Sequence, residues 1–142
     1  MRTATAYRAP VDRRPGRYAD AVPRRTIDAA EGAAALAAVQ GGATDRTSTA
    51  TAVRWTLQEL ADTVPGNSVE VRVPPYGAIQ AVPGPRHTRG TPPNVVETDA
   101  ATWIALATGA ISWAEAVGAA RVTASGSRAD LAPFLPVRLP RA

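Results

Sequence analysis

The sequence predicts an α+β fold, helices laid on a small sheet. Three observations predict it. Apolar residues recur at helical spacing between residues 28 and 64, alternate with polar ones between 68 and 82, and return to helical spacing after residue 98. The strands are therefore grouped and the helices segregated, in the order α-α-β-β-β-α-α-β-α. Finally, 142 residues suit one ordinary domain.

The first helix opens at Asp28, with Glu31 at capping-box spacing, and ends at Gly41-Gly42. Leu36 and Val39 are its only large apolar groups, which lays it on the body rather than inside it. The second starts near Thr47–Thr49, carries Ala50, Val53, Leu57, Leu60, Ala61 and Val64 on one stripe, and stops at Pro65-Gly66. Trp55 falls off that stripe and is expected to pack against the first helix. Residues 68–73 alternate as a strand with Val69, Val71 and Val73 inward, and Pro74-Pro75-Tyr76-Gly77 turns the chain into an antiparallel strand over 78–82. A third strand covers 94–97. A helix capped at Thr98 or Asp99 follows, with Trp103, Leu106 and Ala107 on one face, Ile104 flanking and Gly109 as its terminator. Ser112-Trp113-Ala114-Glu115 is a capping box for a short helix with Trp113, Ala116, Val117 and Ala120 on one side. Residues 121–126 read as a fourth strand. Residues 130–135 suit a short terminal helix with Pro133 in its first turn, and the chain should fray after Pro136.

Composition narrows the function classes. The chain has 31 Ala, so its core must be thin. It has no Cys and one His, which excludes disulfides, thiolate zinc sites, a cysteine nucleophile and any multi-histidine metal centre. No run reaches the roughly 18 apolar residues that span a bilayer, and no secretory signal follows the basic start, so a cytoplasmic location is expected. All 16 cationic side chains are Arg, and seven of them lie in residues 1–25 against Asp12 and Asp20. That segment, rich in Arg and Pro, is expected to be a disordered arm, and residues 26–142 a single domain. The arm's charge suits phosphate contact, but two tyrosines are weak stacking support, which argues against nucleic acid as a partner. No transmembrane segment is expected; transient contact with a membrane surface is compatible with the arm.

Catalytic signatures are absent from the sequence. The 84–91 stretch has the wrong glycine spacing and no Lys-Ser/Thr for a P-loop. Its Arg86, His87 and Arg89 suit an anion or headgroup contact, an ordinary structured loop, or, for His87, a general base. Asp28, Glu31, Asp99, Glu115 and Asp130 sit where helix caps need carboxylates. The expectation is therefore a non-enzyme with no catalytic residues, metal or cofactor. The apolar cluster of Trp103, Ile104, Leu106, Trp113, Val117, Leu131, Phe134 and Leu135 is more informative. Each is core as readily as ligand wall. Together on a small sheet they can leave an elongated apolar cavity with the terminal segment as its lid.

Val95-Val96-Glu97-Thr98-Asp99, Thr102-Trp103-Ile104-Ala105-Leu106-Ala107-Thr108-Gly109, the 113–117 helix and Val122-Thr123-Ala124-Ser125-Gly126 resemble the sterol-carrier-protein family. The wider stretch from Ile27 to Leu135 is similar to its small actinobacterial branch. The resemblance implies helices that cover one side of a small, mostly antiparallel sheet, five-stranded or similar, and enclose a lipid tunnel, with Trp103, Ile104 and Leu106 as walls and residues 131–135 closing it. It also implies non-catalytic carriage of a fatty acyl, acyl-CoA or sterol-like ligand, with a lipid or other hydrophobic molecule as partner. The rival expectation is a protein-interaction or accessory domain with a self-filled core that supports a partner enzyme.

Overall fold

The computed structural model describes residues 26–85 and 94–141. Helix α1 (Ala29–Gln40) begins where the Asp28 carboxylate accepts the Glu31 amide at 2.8 Å. Only Gly32 and Leu36 are buried in it, so it rests on the body as its composition requires. Helix α2 (Arg46–Thr63) starts slightly earlier than expected because Asp45 is its cap, accepting the Ser48 amide at 2.9 Å. Ala50, Val53, Leu57 and Leu60 are buried as the stripe requires, and so are Trp55 and Thr56 beside it. The second set is explained by position: α2 meets α1 on one flank and the sheet on another. Trp55 lies on Gly32 of α1, so closely that a Cβ there would overlap its indole ring.

Strands β1 (Val69–Val73), β2 (Gly77–Ala81), β3 (Asn94–Thr98) and β4 (Val122–Ser125) form one sheet in the order β2-β1-β3-β4. β1 pairs antiparallel with β2 and parallel with β3, and β3 pairs antiparallel with β4. Four strands, not five, make this sheet among the described residues. Val69, Val71 and Val73 are buried, while Glu70, Arg72, Gln80 and Glu97 point to the other side. One face is thus covered by helices and the other is polar. The Arg72–Glu70 ion pair at 3.0 Å lies on that wet face and contributes little.

Helix α3 (Ala100–Thr108) is capped by Asp99 and terminated by Gly109, whose φ of 81° only glycine adopts without strain. Helix α4 (Trp113–Gly118) carries the full Ser112/Glu115 capping box. Its apolar side is buried only at Ala116; Trp113 is half-buried and Val117 is 45% exposed. The terminal helix shrinks to a 3-10 turn, Ala132–Phe134. Pro133 has no N–H to offer a longer ladder. The fraying expected after Pro136 is overturned. The Val137 amide donates to the Ala107 carbonyl at 2.9 Å and its side chain is buried, so the end of the chain docks on α3.

Candidate functional site

The centre of the molecule is built around α3. Burial pushes the Asp99 carboxyl up, but the Thr102 amide and hydroxyl donating to it, at 2.8 and 2.9 Å, together with the charge of Arg121, hold it below the usual carboxylate range. This cap fixes the first turn of α3 and therefore the aim of Trp103. The Trp103 side chain is fully buried, and its indole N–H donates to Thr56 Oγ1 on α2 at 2.8 Å. Thr56 Oγ1 in turn donates back to the Ala52 carbonyl at 2.8 Å, so the pair is polar yet satisfied. Ile104 and Leu131 join Trp103 in the hydrophobic core, and Leu106 is buried as well. Trp113, Phe134 and Leu135 pack on the outside of that core, half-buried, and Val117 faces solvent. The eight apolar residues singled out from the sequence thus divide between interior and margin.

Two hollows flank this core. The smaller, about 340 Å³, is bounded by Phe134, Leu135 and the prolines 133 and 136 on one side, and by Thr63, Val64 and Arg138 on the other. The larger, about 580 Å³, lies between the start of α1, α2 and the edge strand β2. Its floor is apolar, with Ile27, Leu57, Ala61 and Ile79; Arg54, Gln58 and Asp62 line it too. Gln58 pins the chain entering α1: its amide donates to the Ile27 carbonyl at 2.9 Å and its carbonyl accepts the Ile27 amide at 3.0 Å. The Arg54 Nε donates to the Tyr76 carbonyl at 2.8 Å, tying α2 to the β1–β2 turn.

The larger hollow has no counterpart in the sequence-based expectations. Its one local signal was the off-stripe face of α2, where Thr51, Arg54, Gln58 and Asp62 recur at helical spacing. The missing half was the absence of a side chain at Gly77, which leaves room over Leu57. Arg86, His87 and Arg89 lie outside the described residues, as do the arm at 1–25 and Ala142. Among the described residues no group of His, Asp and Glu is arranged to hold a metal ion. No helix among them is long and apolar enough to cross a membrane.

No curated protein matches the chain significantly. A family model described as bacterial SCP ortholog matches residues 45–137, which spans α2, the whole sheet, α3, α4 and the docked end of the chain. With its mixed four-stranded sheet and segregated helices, this chain belongs to the sterol-carrier-protein family, among the bacterial SCP orthologs.

Proposed function

We propose that the chain binds and carries a lipid or other hydrophobic molecule in the cytoplasm without transforming it. Family membership over residues 45–137 is the observation that carries this conclusion, because carriage of hydrophobic ligands is the activity that family suggests. The ligand is a fatty acyl, acyl-CoA or sterol-like molecule seated between sheet and helices. Trp103, Ile104, Leu106 and Leu131 form its inner wall, and Trp113, Val117, Phe134 and Leu135 the mouth. Arg86, His87 and Arg89 meet an acidic headgroup. The hollow bordered by Phe134 and Leu135 supports entry at that end. Each methylene buried there contributes about 0.8 kcal/mol, so a modest chain length suffices for useful affinity.

The test compares a fatty acid with the fatty alcohol of equal length on the full chain. The double variant Arg86→Ala/Arg89→Ala should weaken the acid by about tenfold, one lost charge-assisted contact, and leave the alcohol unchanged. Equal loss for both would remove the headgroup role. Failure of both lipids to bind the unaltered chain would remove carriage itself.

One observation favours a second reading. Trp103, Leu106 and Leu131 are at most 1% exposed, which supports close packing of the protein's own side chains between sheet and helices. A self-filled core suits an accessory domain that docks on a partner enzyme. That alternative predicts no uptake of a hydrophobic dye and a protein that co-purifies.

A further inference from the structure

We propose that the 580 Å³ hollow between α1, α2 and β2 is a separate binding site for an elongated, two-ended small molecule. Such a ligand has an acidic group at one end, an apolar middle and an amine at the other. The volume falls in the range of about 300–1,000 Å³ typical of small-molecule sites. The floor of Leu57, Ala61 and Ile79 takes the apolar middle. The two ends are set by the charges along α2. Arg54 is steadied by the bond from its Nε to the Tyr76 carbonyl, while its terminal nitrogens have no partner among the described residues. Asp62 has no partner among the described residues either, and lies eight positions further along the helix, a rise of about 12 Å. Gln58, between them, is held in place by its two hydrogen bonds with Ile27. A fixed cation, an apolar stretch and a carboxylate therefore follow one another along the hollow.

Charge also argues against a simple fatty acid here. Asp62, exposed and without a partner among the described residues, disfavours an added anion that brings no compensating amine. The site is independent of the carrier proposal. Thr26, Ile27 and Glu31 precede the family-matched segment, and none of the residues 131–135 lines the hollow.

The test titrates the full chain with ω-aminododecanoate, dodecanoate and dodecylamine, followed by the backbone resonances of residues 54–62 and 77–79. The amino acid should bind about two- to fivefold more tightly than either single-headed compound, as expected for one added exposed ion pair. Asp62→Asn should reduce it to the affinity of dodecanoate, and Arg54→Gln to that of dodecylamine. Arg54→Lys, which keeps the charge, should retain most of the binding. Ala61→Trp should fill the hollow and abolish the shifts that all three produce at residues 54–62 and 77–79, leaving any fatty acid bound elsewhere in the molecule untouched. If that variant fails to fold, Gly77→Val serves, since the first added carbon at Gly77 meets Leu57 only at an ordinary 3.6 Å. Dodecanoate acting on these resonances as tightly as the amino acid, shifts there that survive the filled hollow, or no shift there with any probe would each overturn the proposal.

Discussion

Two buried tryptophans illustrate how different the energetics of one residue type can be. Trp103 has its indole N–H satisfied by Thr56, whereas the buried Trp55 N–H has no partner among the described residues. Trp55 is held instead by shape, against the bare backbone of Gly32. Thr56→Val keeps the volume but strands the Trp103 N–H in the core, and should cost about 1–3 kcal/mol in urea unfolding with an unchanged slope. In the double variant with Trp103→Phe, the Thr56 change should cost much less, because no donor is left unpaired. Equal costs in both backgrounds would show that the hydrogen bond is not what Thr56 contributes. A local signal predicted neither partner. Trp103 and Thr56 are 47 positions apart, and their meeting follows from how α3 lies on α2.

Most elements with local chemistry were legible, the Asp45 cap excepted, and of the distant contacts only the packing of Trp55 on α1 was. The Asp28 cap, the Ser112/Glu115 box and the Gly109 terminator were all readable because each is settled within four residues. The β1 alternation was readable because one face is wet. The docked tail and the hollow over β2 were not: they depend on Val137 reaching Ala107 and on Gln58 reaching Ile27. The position of α1 depends on a similar long-range fit. Gly32→Ala would ordinarily favour a helix by about 1 kcal/mol. Here the new Cβ must displace an enclosed indole, and overpacking of about 1–3 kcal/mol should win. Hydrogen exchange in residues 29–40 should accelerate; an unchanged rate together with raised stability would contradict this packing. The α3 cap gives a pH signature. A carboxylate held below its unfolded value contributes stability that is full above that value and fades as pH falls through the folded one. Asp99→Asn keeps the cap but removes the titration. Below about pH 4 the native chain should therefore lose stability relative to the Asn variant, by an amount reduced by solvent because Asp99 is mostly exposed to it. Parallel pH curves would rule out this contribution.

At the scale of the whole molecule, fold and family were legible because the order of elements and the 95–126 pattern are continuous in the chain. The ligand site was less so. An Ala-rich chain leaves few bulky groups, and whether they wall a chamber or fill it turns on a handful of side chains, with Trp103 and Leu131 fully enclosed here. We propose that this protein carries a hydrophobic molecule, and native mass spectrometry of the full chain, purified without detergent, reads out such a passenger. Carriage predicts an adduct with the mass of a fatty acid or phospholipid that is lost on organic extraction and restored by adding the lipid back. A bare polypeptide mass that stays bare in excess fatty acid would contradict it.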